Sequence, residues 1–419
     1  MRYCVAVTPQ ETKPPPTPQL REKHLQAYKF FERLHDLFDA LRPCAAHFNR
    51  KLHFDEYALS VLFYFFNPAI TSMRGLQMVT GFKKVQKALG IRRMSLGSMS
   101  ESVRLFDPDL LAGVFEGLAE AASERKVDRR IHGLRQVLTV VDGTILPALP
   151  RMAWAVWLHE TDRGAKAHVH FEVCKNTPSH VDITAGNASE TRRLKGALKG
   201  GRLYVMDRGY VDFDLFREIV EADSSFVIRM NANTVVGTVE EIALTPDAEA
   251  AGVRSDRIVR MGCKNSRAKF DRQVRFVDVH VPARPPRGLA YPVKKVSSKK
   301  GFRREQGKAY TLRIATDRLD LPADVIALIY RYRWQVELFF RLLKSVLGCR
   351  HLLSDSIEGV SIQVYCALIA SLLLAEYTGV KPGKRVYELV ALYLQGWVDD
   401  DELLRELGKQ KRHDEKRAV

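Results

Sequence analysis

Cysteine is sparse in this chain and never arranged as a motif. Cys4, Cys44, Cys174, Cys263, Cys349 and Cys366 are scattered over 419 residues without a single Cys-x-x-Cys. That excludes a disulfide framework or a zinc ribbon and leaves reduced thiols in the core or on the surface. Long apolar runs are missing as well. Leu59 to Phe66 is too short, and the run around Val364–Ala375 stops before the ~20 residues a spanning helix requires. Met1-Arg-Tyr-Cys4 opens without the apolar stretch of a secretory signal, so the expectation is an intracellular, cytoplasmic protein. Negative charge is in deficit: 49 Asp+Glu face 66 Lys+Arg, for a net charge of +17 and a pI near 9.6. A surface of that sign attracts polyanions, although charge alone distinguishes neither DNA from RNA nor a binder from a merely basic protein. No serine or cysteine nucleophile and no cofactor motif is recognisable.

What the chain does have is carboxylates at telling places. Tyr330, Arg333, Glu337 and Lys344 are spaced by three, four and seven residues, which on one continuous helix puts them on a single face. Ile329, Val336, Phe340, Leu343 and Leu347 form a second, apolar stripe for burial. A solvated Arg333–Glu337 pair would explain the spacing just as well were it alone. Two further acids argue against that. Val137-Leu-Thr-Val-Val-Asp142-Gly-Thr144 and Leu203-Tyr-Val-Met-Asp207-Arg-Gly-Tyr210 are short apolar runs that end in an aspartate near a glycine. Such runs read as buried strands, and functional groups gather beyond strand ends in open α/β sheets. Three carboxylates with access to one point suit a hard divalent cation, with water and phosphate completing its shell. Two such ions roughly 4 Å apart support in-line phosphoryl displacement.

With those three motifs in hand, the chain resembles the DDE transposases of bacterial insertion sequences, and more narrowly the insertion-sequence-four family with its Tyr-x2-Arg-x3-Glu-x6-Lys signature. Tyr330, Arg333, Glu337 and Lys344 match without a gap, while Asp142 and Asp207 match the first and second acids. Over roughly 130–375, the resemblance implies an RNase H-like core and DNA cleavage followed by strand transfer. It also implies Mg²⁺ (with Mn²⁺ able to substitute) held by Asp142, Asp207 and Glu337. Tyr330, Arg333 and Lys344 would touch DNA. The implied partners are double-stranded DNA, as terminal inverted repeats and as target, and a second copy of the chain in the DNA complex. Some family members use a tryptophan in an inserted β domain to open DNA ends through a hairpin. Here Trp154, Trp157, Trp334 and Trp397 all lie outside the corresponding segment.

Patterning divides the chain further. Residues 1–20, with Lys13-Pro-Pro-Pro-Thr-Pro18, read as a flexible arm. Residues 21–130 read as helical and as the DNA-end-binding part; Val85 to Ser100 has the look of helix, glycine turn and serine-capped helix, either a helix-turn-helix variant or an ordinary hairpin. From 131 the period becomes that of strands, predicted at 137–142, 167–173, 181–184, 202–207 and 225–229, with helices at 189–198 and 212–221. Strand-strand-strand-helix-strand-helix-strand is the RNase H-like order: an α/β core, a mixed sheet flanked by helices. Residues 231–315 read as a β-rich insertion, 316–378 as the second part of the core with the Glu337 helix, and 379–419 as helical with a charged tail and a candidate dimerisation segment. Within the insertion, Lys294, Lys295, Lys299, Lys300, Arg303 and Arg304 suggest a phosphate-tracking loop. Trp334 and Phe339 are expected to pack. Asp212 and Asp214 should cap a helix, and His168 and His170 should be structural.

Overall fold

The computed structural model describes residues 38, 41, 52–67, 70–125, 127–148, 151–157, 162–263, 269–283, 309–345, 349 and 352–417. The arm at 1–20, Leu347 and all six basic loop residues from Lys294 to Arg304 lie outside the described residues.

At the centre is a mixed sheet of nine strands. β1 (Val137–Pro147), β2 (Gly164–Glu172) and β3 (Thr177–Ala185) form an antiparallel meander. β4 (Arg202–Met206) and β5 (Ser225–Arg229) then run parallel to β1. The segment read as an insertion supplies β6 (Val236–Glu241), β7 (Val253–Met261), β8 (Gln273–Val281) and β9 (Tyr310–Thr316). Those four strands lengthen the same sheet, in the order β3-β2-β1-β4-β5-β9-β8-β7-β6, with β9 returning antiparallel beside β5.

The central strands are apolar on both faces, as parallel strands covered on both sides must be. Leu138, Val140, Leu203, Val205 and Val227 face one core. Val141, Tyr204, Met206, Phe226 and Ile228 face the other. The second core is closed by two short helices, Glu190–Gly196 and Phe213–Glu221, through Leu194, Leu215, Phe216 and Ile219. Phe216 stacks on Phe226 with centroids 4.6 Å apart. Asp212 caps the Phe213–Glu221 helix by accepting from Asp214 N and Leu215 N, as its type and place suggest. Asp214 does not cap; it pairs with Lys269 at 2.7 Å.

On the first core lie the C-terminal helices. Ile357–Thr378 is 22 residues long, longer than the sequence pattern led us to expect and apolar enough to cross a membrane by length and composition. Its place is inside: 83% of its most apolar window is buried. Tyr365 donates to Val181 O of β3 at 2.9 Å, and its ring meets Phe115 at 6.3 Å. The described N-terminal helices share this core, with Phe54–Phe65 and Pro108–Ala121 both contributing to it. Within 73–102, Lys83–Leu89 ends on Gly90 in the left-handed region at φ 60°, and Ser95 opens Leu96–Ser102 by accepting from Ser98 N at 3.0 Å.

Sheet extension and C-terminal helices are tied by one buried ion pair. Arg275 on β8 holds Asp256 on β7 through two bonds of 2.8 and 2.6 Å, and its Nη1 donates to Leu319 O and Leu321 O. Those carbonyls belong to the turn that launches the next helix, Ala323–Tyr332.

Candidate active site

Register brings the two aspartates together. β1 and β4 pair in parallel from Val137↔Arg202 to Val140↔Val205. Continued two residues past Val140, the same offset sets Asp142 opposite Asp207. Neighbouring strands stand about 4.8 Å apart. Alternation along each strand puts both side chains on the face of Leu138, Val140, Leu203 and Val205, the one covered by the C-terminal helices.

From above that face comes Glu337. The predicted single helix through Tyr330 and Lys344 is in fact two, Ala323–Tyr332 and Trp334–Ser345. They join at Arg333, whose N–H reaches back three residues to Tyr330 O at 3.1 Å in place of the usual four. Arg333 keeps helical dihedrals (φ −52°, ψ −30°), so the chain changes pitch without turning away. Ile329, Val336, Phe340 and Leu343 are all buried as the apolar stripe requires. Phe339 is buried too, 5.7 Å from Phe171, whereas Trp334 is 50% exposed and does not pack as expected.

Arg333 is where the acids meet. Its Nη1 donates to Asp142 Oδ2 at 3.3 Å and its Nη2 to Glu337 Oε1 at 2.5 Å. Its guanidinium lies 5.9 Å from the Tyr330 ring centroid. Tyr330 OH donates to Asp207 Oδ1 at 3.2 Å, and Arg229 Nη1 stands 3.6 Å from the same oxygen. One cluster therefore links Asp142, Arg333, Glu337, Tyr330, Asp207 and Arg229. Lys344 sits half-buried in the last turn of Trp334–Ser345, two helical turns beyond Glu337.

Burial and neighbouring charges move three groups of the cluster, Asp142, Arg333 and Tyr330, off their ordinary values. Burial pushes the Asp142 carboxyl up to about 6; Arg333 and the Gly143 N–H, bonded at 2.8 Å, pull it down, while Glu190 and Asp207 push it further up. Burial alone would lower Arg333, but Tyr330, Glu337, Asp207 and Asp142 together hold it above its ordinary value. Tyr330 is raised by burial and by Asp207. In the structure the guanidinium supplies the positive charge that these carboxylates call for. Among the described residues no three His, Cys, Asp or Glu side chains are close enough to hold a metal ion as they stand. The donor types fit a hard divalent cation, with Arg333 as the stand-in charge between two of the acids.

Two groups at the site escaped the sequence reading. Arg229 ends β5 where Asp207 follows β4, and the β4/β5 offset at Met206↔Ile228 carries Asp207 opposite Arg229. A polar residue closing a third apolar strand was the available signal. Glu190 approaches from the opposite face of the sheet, and nothing local to it announced this. His168 and His170 are buried and stay neutral. Burial takes them down to about 4 and about 3, and His168 Nε2 meets Thr184 Oγ1 at 2.8 Å. Glu172 and Asp182, the other acids of β2 and β3, are engaged away from the cluster, with Arg202 at 3.0 Å and Arg193 at 3.2 Å.

The site is thus an aspartate in the middle of β1, which runs on to Pro147 instead of ending at Asp142 as predicted, an aspartate just past β4, and a glutamate on the helix above them. Residues 133–373 match the family model described as Transposase DDE domain, and the chain belongs to that family. It is 28% identical over 242 residues to "Putative transposase y4zB" of Sinorhizobium fredii, spanning 57% of this chain and 60% of that one. It is 23% identical over 285 residues, 68% of each chain, to "Probable transposase for insertion sequence element IS5377" of Geobacillus stearothermophilus. The match thus covers about three-fifths of the first relative's length. A solved piggyBac transposase synaptic complex with hairpin DNA aligns over 91% of this chain and 80% of that one, with 10% identity and a TM-score of 0.38, too low to carry an argument.

Proposed function

We propose that the chain is a DDE transposase that cuts the ends of an insertion sequence and joins the freed 3′-hydroxyls to target DNA, a cut-and-paste reaction run by two-metal phosphoryl transfer. The observation that carries this reading is the convergence of Asp142, Glu337 and, through Tyr330, Asp207 around one guanidinium. The strand order β3-β2-β1-β4-β5, with helices on both faces, supports an RNase H-like core. Asp142, Asp207 and Glu337 would hold Mg²⁺, or Mn²⁺ in its place. When bound, the ions would activate the attacking oxygen and stabilise the leaving one.

The chain's own residues carry the remaining roles. Arg333 presents a planar fork suited to a phosphate, and in the absence of one it neutralises Asp142 and Glu337. Entry of DNA gives that fork a better anion and frees the carboxylates. Tyr330 orients Asp207 and presents a hydroxyl to a backbone oxygen. Lys344, along the same helix, adds a point charge farther down the groove. The 294–304 basic residues would track the duplex as counter-charges, and the helices within 73–102, where Met78 and Phe82 are exposed, would read the transposon end. A dimer would bring two ends together.

Supercoiled plasmid carrying the native terminal repeats tests the reading. Asp142→Asn, Asp207→Asn and Glu337→Gln should each lose cleavage by at least ~10³-fold, several kcal/mol of transition-state stabilisation, while gel-shift affinity for the ends is kept. Strand transfer from pre-cleaved ends separates a transposase from an RNase H-like nuclease, which gives hydrolysis alone. A wild type that binds ends but never nicks them would mark a silent repressor.

A further inference from the structure

Both aspartate motifs carry a glycine, and the Glu190 carboxylate lies beside both. A Cβ on Gly143 would meet Glu190 Oε1 at 2.6 Å and its Cδ at 3.2 Å; one on Gly209 would meet Glu190 Oε2 at 3.7 Å. The Glu190 carboxylate thus occupies the space a side chain on Gly143 would need, next to Asp142, and lies at ordinary contact distance from the Cβ position of Gly209, two residues after Asp207. It arrives on the first residue of the Glu190–Gly196 helix, held by the Ser189 cap, which accepts from Arg192 N at 3.3 Å. On its outer side Lys166 Nζ stands 3.1 Å from Oε1 and is itself anchored to Ala188 O at 3.3 Å.

We infer that Glu190 is a positioning residue of this catalytic centre: its carboxylate spaces the Asp142 and Asp207 turns from behind the sheet and adds a fourth negative charge to the field that draws the cation. The inference rests on the proposed metal-dependent reading of the Asp142–Asp207–Glu337 site and deepens it. Glu190 touches neither scissile phosphate nor cation. It acts through the turn beside Asp142, where its carboxylate fills the Cβ position of Gly143. Lys166, only 15% exposed at its side chain, holds the carboxylate in place through this pair. Tyr210, buried and just past Asp207, also feels Glu190's charge, so the same carboxylate is sensed on both turns.

The experiment uses the full chain with Mn²⁺ alone, titrated by electron paramagnetic resonance, beside thermal unfolding in EDTA. Glu190→Gln, isosteric and uncharged, should weaken Mn²⁺ binding about tenfold, the low end for outer partners of metal ligands. Glu190→Asp should restore part of it. Independently of metal, Gly143→Ala should lower the melting temperature modestly in wild type, since the carboxylate end of Glu190 can give way, and not in a Glu190→Ala background, where the contact is gone. Equal cost of Gly143→Ala in both backgrounds overturns the inference, as does wild-type Mn²⁺ affinity in Glu190→Gln while Asp142→Asn has lost it. If Asp142→Asn itself binds Mn²⁺ and nicks DNA like wild type, the underlying reading of the site fails instead.

Discussion

Replacing Asp142 with Asn should make the metal-free protein more stable while destroying its proposed activity, and the gain should depend on pH in a defined way. The Asp142 carboxyl rises from 3.8 to about 6 on folding, chiefly because its side chain is only 22% exposed. A raised carboxyl favours folding below the unfolded value and loses that contribution as pH climbs through the folded one. At pH 8 both states are ionised, and the folded protein carries a penalty of about 3 kcal/mol for the buried charge. An asparagine of the same shape never ionises, so Asp142→Asn should recover about 3 kcal/mol at pH 8, roughly half of that at pH 5, and well under 1 kcal/mol near pH 4. For a chain of this size that is a rise in melting temperature of about 3–6 °C at pH 8. Scanning calorimetry or fluorescence-detected melting in EDTA reads it directly. Saturating Mg²⁺ should then raise the wild type alone, shrinking or reversing the gap, since a ligand bound only by the folded state stabilises it. A difference between wild type and variant that is the same at pH 5 and pH 8 would refute the reasoning, for it would mean that Arg333 and Gly143 fully offset the burial of the Asp142 charge.

Three further outcomes are expected. Arg275→Ala leaves Asp256 buried without its partner and frees the Leu319 and Leu321 carbonyls, so denaturant unfolding should show a loss of about 3–5 kcal/mol. Arg333→Lys cannot bridge Asp142 and Glu337 with one ammonium as the fork does; end binding should weaken while the slope of log K against log salt stays close to wild type, since the charge is kept. Exchanging Lys294, Lys295, Lys299 and Lys300 for Gln should flatten that slope by up to about 3.6 if each touches a phosphate, and an unchanged slope removes the loop from the DNA interface.

Much of this protein was legible in one dimension. The alternation leading into Asp142 and Asp207, the helical stripe of Ile329, Val336, Phe340 and Leu343, and the Ser95 and Asp212 caps are set by chain neighbours, and periods of two and 3.6 residues report them without any fold. The order of strands and helices from 137 to 229 followed from the same periodicities. What sequence could not supply was everything decided by residues far apart. That 231–316 lengthens the existing sheet depends on β9 choosing β5 as its neighbour, a pairing between residues about ninety positions apart. The change of pitch at Arg333 is likewise long-range: it lets one guanidinium reach Asp142 on a strand and Glu337 on a helix together. Trp334 misled because its type favours burial, while the packing of its helix left that edge to solvent. Glu190 was invisible because its importance lies in two glycines it does not adjoin. Local pattern placed Asp207 and Arg229 at the ends of their strands but missed that β1 runs on past Asp142 to Pro147, where pairing with β2 carries it. Only the closing of the sheet and the laying of helices on both faces decided which charges share a space, because burial and Coulomb interactions depend on distance through the molecule and not on separation along the chain.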